Sequence, residues 1–223
     1  MLADPSFHKG LRDSVLIFFA VGAFGLAYGV LAIEIGFPVW LAILSSFVIL
    51  SGAAQFAMAG LISAGALPVV LAATGLGLRH LPMSATLARL IGDQPMGVRV
   101  RLAYVLVDET FGLTLRAAAR NDVDDIVAYK SAADMVLLSG WVFGTGLGAW
   151  FGSTIDPGQV GIGVLFGLLF LGLAIPMVAT QRDWVVVAIT VVATIGAVVA
   201  LPVAWQITSA AVVASLVAVF IGE

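Results

Sequence analysis

The chain has 223 residues, 61% hydrophobic and only 10% charged, with a net charge of −3 and no cysteine. A soluble domain of this size cannot dress its surface with so little charge, whereas in a bilayer the surface itself is apolar. The slight net charge gives no basis for nucleic-acid binding, and the absence of cysteine excludes thiol catalysis, disulfides and thiolate metal sites.

No charge falls between Ser14 and Ile33, and after Glu34 the next is Arg79. Such runs exceed the roughly 20 residues that cross a hydrocarbon core about 30 Å thick. Period-two alternation, the mark of a membrane barrel, is missing. Helices satisfy their own backbone in lipid, so the expected fold class is all-α. The reading is a bundle of about seven or eight transmembrane helices forming a single polytopic membrane transport domain over 1–223. Residues 1–13 are a short cytoplasmic N-terminal segment. The apolar run after Arg12 is too long for a cleaved signal and continues into further spans.

In chain order the predicted spans are 14–35, 39–61, 68–88, 99–118, 132–152, 160–180, 184–201 and 204–221. Leu201-Pro202 turns the last two into a tight hairpin. In the seven-span version one segment is re-entrant. The polar stretch Asn121–Lys130 reads as a solvated loop with a helix starting near Asp122, because carboxylates suit a helix N-terminus. Under the eight-span reading Lys9, Arg12, Arg116, Arg120, Lys130 and Arg182 share one side, against Arg89, Arg99 and Arg101 on the other. That excess places both termini in the cytoplasm.

The informative residues are those that lipid disfavours, since a charge at the bilayer centre costs about 2.5–3.5 kcal/mol even on an insertion scale. In the second span, Ser51 and Gln55 share a helix face, and Gly52 weakens the helix between them. A broken helix at a midplane site has this pattern. Ordinary packing through small residues has it too. In the third span Arg79-His80 stands halfway along, between Gly77 and Pro82. The proline disturbs the preceding turn, and the guanidinium suits a carboxylate. His80 is a proton carrier or simply a hydrogen-bonded side chain. In the fourth span Asp108 and Glu109 point about 100° apart. One can therefore pair with Arg79 at matching depth while the other faces a cavity and exchanges protons. A zwitterionic amino acid needs such a set of charges, with Phe56, Met83 and Phe111 as apolar neighbours for its side chain.

At these residues the chain resembles the AzlC-type permeases, the large subunits of branched-chain amino-acid exporters. Ser51-Gly52-Ala53-Ala54-Gln55-Phe56 is similar to that family's SGASQF element. Leu78-Arg79-His80-Leu81 is similar to its NLRHL element, and Asp108-Glu109-Thr110-Phe111 to its DETF element. Order and spacing agree, and the likeness weakens in the last third. Ala54 replaces a serine of the pattern, and Gly77 stands in place of an asparagine.

The resemblance implies export of valine, leucine, isoleucine or methionine across a bacterial inner membrane, with a small AzlD-type membrane subunit and no cofactor. The expected substrate-binding residues are Ser51, Gly52, Gln55, Phe56, Arg79, Thr110 and Phe111. The expected proton-coupling or ion-pair residues are His80, Asp108 and Glu109. The alternative is a non-transporting scaffold whose buried charges serve assembly. An intramembrane enzyme ranks last, because no nucleophile–base motif is recognisable, and no phosphate-binding loop supports ATP-driven transport.

Overall fold

The computed structural model describes residues 4–154, 178, 180–202, 209, 212, 213, 216 and 217. Among them every regular element is helical. The helices are α1 (Pro5–Asp13), α2 (Val15–Glu34), α3 (Val39–Val48), α4 (Gly52–Leu61), α5 (Ala66–Gly77), α6 (His80–Ile91), α7 (Met96–Tyr104), α8 (Asp108–Ala119), α9 (Ile126–Thr154) and α10 (Gln181–Ala200). The chain divides into two compact units. The first comprises Met1–Gln55 with Gly77–Pro157, and the second Phe56–Leu76 with Gly158–Glu223.

The first unit is built on α9, which packs against α1, α2, α3, α6 and α8. Its 29 residues reach about 43 Å at 1.5 Å per residue, more than a hydrocarbon core requires. The closest packing is between α9 and α2. Gly140, Gly144 and Gly148 recur every four residues on α9, and Gly22, Gly25 and Gly29 answer them on α2. A Cβ at Gly144 would collide with the Gly22 carbonyl, and one at Gly148 with the Leu26 carbonyl. Small residues let two backbones touch where apolar side chains gain nothing by leaving lipid.

The chain reverses after α2 at Gly36, whose φ of 92° only glycine adopts cheaply. There the Phe37 amide donates back to the Ala32 carbonyl at 2.9 Å, and Pro38 starts α3. At the N-terminus, α1 is a docked helix within the expected 1–13 segment. Asp4 caps it by accepting from the Ser6 amide at 2.7 Å. Phe7 packs on Ala128 and Ala132 of α9.

The start of α9 differs from the expectation. The helix begins at Ile126, not near Asp122, because the Asp125 carboxylate accepts from the amides of Val127 and Ala128, both at 2.9 Å. Lys130 consequently lies inside the helix, fully buried, and not in a solvated loop.

In the second unit α10 opens with a reciprocal cap. The Thr180 hydroxyl accepts from the Asp183 amide at 3.3 Å, and the Asp183 carboxylate accepts from the Thr180 amide at 2.7 Å. The helix ends at Ala200, just before the expected Leu201-Pro202 turn.

Among the described residues, four stretches are long and apolar enough to cross a membrane: Val15–Glu34, Ala66–Ile91, Ile126–Thr154 and Gln181–Ala200. The second predicted span is a pair of short helices, α3 and α4, and the fourth is α7 followed by α8. The predicted spans 160–180 and 204–221 lie almost entirely outside the described residues. The chain is a multi-pass helical membrane protein.

Candidate functional site

Each of the three polar motifs stands at an interruption between helices. The first lies between Val48, where α3 stops, and Gly52, where α4 begins. Ser51 starts α4, its hydroxyl accepting from the Ala54 amide at 3.4 Å. Gln55 is fully buried. Its amide nitrogen donates to the hydroxyls of Ser45 at 3.3 Å and Ser46 at 3.2 Å. Its carbonyl accepts from the Trp141 indole at 3.0 Å.

Proton directions in this network follow from its ends. Ser45 donates to the Ala42 carbonyl at 2.7 Å, so the Tyr28 hydroxyl, 2.8 Å from Ser45, is the donor there. Thr145 donates to the Trp141 carbonyl at 2.9 Å, so Ser46 donates to Thr145, also at 2.9 Å. Gln55 thus uses both donors and its acceptor inside the protein and fastens the interruption to α9. A Cβ at Gly52 would lie 2.7 Å from the Trp141 ring, so the glycine makes room for that indole. Phe56 begins the second unit.

The second interruption is the Leu78-Arg79 turn between α5 and α6. The His80 Nδ1 donates to the Gly77 carbonyl at 3.0 Å, completing a backbone acceptor at the end of α5. Arg79 turns instead toward α8, where its Nη1 lies 2.7 Å from Asp108 Oδ2. Equal depth suggested a partner among Asp108 and Glu109, and the partner is Asp108. Both side chains remain about half exposed, at 40% and 49%.

The third interruption, Val105–Val107, separates α7 from α8 and is the most heavily furnished. Asp108 and Glu109 form the first turn of α8, where carboxylates meet the positive end of the helix dipole. Glu109 is exposed, with no hydrogen bond or ion pair to another described residue. Thr110 is fully buried, and its hydroxyl approaches the Asp134 carboxylate without reaching hydrogen-bond geometry. Phe111 packs on a cluster that includes Met83, Leu87 and Leu102.

Two residues absent from the expected site complete it. Lys130 and Asp134, one turn apart on α9, form a buried ion pair with both carboxylate oxygens 2.7 Å from the ammonium. The same ammonium donates to the Val105 carbonyl at 3.2 Å, within the interruption. The Arg101 guanidinium donates to Ser131 Oγ at 2.8 Å, tying α7 to the same stretch of α9. The Tyr104 hydroxyl donates to the Phe47 carbonyl and joins the end of α7 to the end of α3. The four-residue spacing of Lys130 and Asp134, next to an apolar run, was the available sequence signal.

The Val105–Val107 interruption is therefore flanked by two ion pairs, Arg79–Asp108 and Lys130–Asp134. The arrangement presents two cations and two anions around irregular backbone, next to apolar surface.

Residues 16–155 match the profile of a family described as "AzlC protein". Over 149 residues the chain is 32% identical to an uncharacterised membrane protein of Archaeoglobus fulgidus, covering 67% of this chain and 64% of that one. The match thus spans somewhat less than two thirds of the archaeal relative. Over 200 residues it is 26% identical to the inner membrane protein YgaZ of Escherichia coli strain K12, covering 86% of this chain and 82% of that one. No solved structure matches.

Proposed function

The chain belongs to the AzlC family, and from that premise we propose that it is the large subunit of a two-component exporter of hydrophobic amino acids, valine, leucine, isoleucine and methionine among them. The single observation that carries this reading is the Val105–Val107 interruption between its two ion pairs. Irregular backbone within an apolar region is tolerated where protein covers it or where it lines a cavity, and transporters place solutes at such points. Charges of both signs suit a zwitterion, and neighbouring Met83 and Phe111 suit its apolar side chain.

The site residues divide by what they touch. Ser51, Gly52 and Gln55 hold the first interruption against α9. Arg79 and Asp108 latch α6 to α8 and part when those helices separate. Glu109 carries the coupling proton. Thr110 and Phe111 join the start of α8 to α9 and to the α6–α7 cluster. His80 supports the turn that presents Arg79. The small partner is an AzlD-type membrane subunit, the membrane is a bacterial inner membrane, and both termini face the cytoplasm.

Efflux of labelled valine, leucine, isoleucine and methionine from cells loaded with dipeptides tests the proposal. The chain is expressed alone, with the AzlD-type partner, and with the partner as Arg79→Ala. Efflux that needs both the partner and Arg79 is expected. No acceleration of any of the four, with insertion confirmed, rejects it.

The half-exposed state of Arg79 and Asp108 favours one competing reading, a scaffold in which the pair docks a partner. Under that reading Arg79→Ala loses the partner from the purified complex. Under the exporter reading the complex stays intact and flux is lost.

A further inference from the structure

The Val105–Val107 interruption has no local cause in the sequence. The first interruption contains Ser51-Gly52, and the second stands between Gly77 and Pro82. Around the third the chain reads Ala103-Tyr104-Val105-Leu106-Val107-Asp108, with neither glycine, serine nor proline. A sharp break in a helix comes from proline, from glycine and serine, from a wide turn, or from a side chain that enters the hydrogen-bond ladder. The last is present here. In an unbroken helix the Val105 carbonyl accepts from the Glu109 amide, four residues on. In this protein it accepts from the Lys130 ammonium at 3.2 Å. We infer that Lys130 is the positioning residue that makes this interruption, and that without its ammonium α7 and α8 join into one helix. The inference rests on the exporter reading only for what it means for transport.

Three observations carry it. Lys130 is fully buried, and its three donors meet three acceptors, the two Asp134 oxygens at 2.7 Å and the Val105 carbonyl. Asp134 therefore fixes the ammonium where the ladder is cut. Val105 is itself buried, so its carbonyl is costly to leave without a donor. Across the break, the amides of Asp108, Glu109 and Thr110 make no hydrogen bond to a described residue, and no side chain caps α8. Those amides are the donors that a continuous helix would direct at Tyr104, Val105 and Leu106. Both halves of the missing ladder are thus in place, with the lysine between them.

The joined form is the one that the local sequence prefers, since residues 99–118 read as a single span. The observed form instead leaves Val107 extended, with φ −126° and ψ 155°. Joining removes the irregular backbone on which the exporter reading depends. It also takes Asp108, the partner of Arg79, out of the first turn of a helix.

The test is amide hydrogen exchange, read by mass spectrometry on the full chain in lipid nanodiscs, alongside leucine efflux from cells that also express the partner subunit. Lys130→Met removes the ammonium, and Lys130→Met/Asp134→Leu does so without leaving a buried charge unpaired. Exchange at residues 108–110 is expected to slow about tenfold or more in the double variant, as those amides gain helical partners, and leucine efflux is expected to be lost. A lysine that merely braces the packing gives the opposite sign, because loosened packing speeds exchange. If the single variant fails to insert, the double variant decides. Unchanged or faster exchange at 108–110 in the double variant overturns the inference. Slower exchange with wild-type efflux overturns the positioning role in transport. A wild-type protein that exports no leucine overturns the exporter reading, and the exchange result alone then decides whether Lys130 makes the break.

Discussion

The Lys130 ammonium lies 3.2 Å from the Val105 carbonyl while holding Asp134 at 2.7 Å, so one cation on α9 both neutralises a buried carboxylate and completes backbone between α7 and α8. Lys130→Met keeps the length of the side chain and removes both interactions. Stranding a buried charge costs about 3–5 kcal/mol. The expected result is a clear drop in the melting temperature of the detergent-purified protein, with partial recovery in Lys130→Met/Asp134→Leu, where no charge is left unpaired. A single variant as stable as wild type would mean that the pair contributes nothing to the fold.

The Arg79–Asp108 pair differs in being about half exposed rather than sealed by packing. Arg79→Ala and Asp108→Asn are therefore expected to insert and melt like wild type yet lose most efflux. The reversed pair, Arg79→Asp/Asp108→Arg, keeps the attraction but places a carboxylate in the turn before α6 and a cation at the positive end of α8. Efflux is expected to stay low in it. Full recovery would assign the pair to assembly alone.

Gln55 anchors a closed set of hydrogen bonds that bridges 86 residues of sequence to Trp141. Gln55→Leu leaves the indole N–H without its acceptor, at a cost of about 1–3 kcal/mol. Gly144→Val is expected to be worse, because its side chain meets the Gly22 carbonyl and has no room to turn. Limited proteolysis in membranes is expected to cut Gly144→Val fastest, Gln55→Leu next and wild type slowest. Equal protection of all three would show that α2 and α9 do not pack as described.

Glu109 is exposed at the start of α8, next to Asp108 of the Arg79–Asp108 ion pair. Glu109→Gln retains shape and hydrogen bonding but carries no titratable proton. Exchange of external against internal leucine is expected to continue in this variant, while efflux against a gradient stops. Unimpaired uphill efflux would remove Glu109 from the coupling.

The sequence announces the helical membrane fold, through uncharged runs longer than a bilayer needs, and two of the three interruptions, through Ser51-Gly52 and the Gly77 to Pro82 stretch, but not the Val105–Val107 break within the predicted span 99–118. It also announces that Arg79 can pair with one carboxylate of Asp108-Glu109, because these charges lie midway along their predicted spans, but not which of the two. Lys130 escapes because the polar stretch from Asn121 hides the start of α9. Three aspartates there are equally plausible caps, and only tertiary contact shows that Asp125 is the one used. Asp134 escapes with it, since its meaning depends on a cation read as part of a loop. The partners of Gln55 are illegible for a different reason. An amide in an apolar span must bond to something, but Trp141 and Ser46 are reached only through packing that no local pattern encodes.

The most direct test of the account is flux in proteoliposomes holding the purified chain with its AzlD-type partner, under an imposed pH gradient, with labelled leucine inside. The account expects saturable, gradient-driven leucine release that Arg79→Ala abolishes although the complex remains intact. Release that is absent from the wild-type complex, or equal in Arg79→Ala, would contradict it.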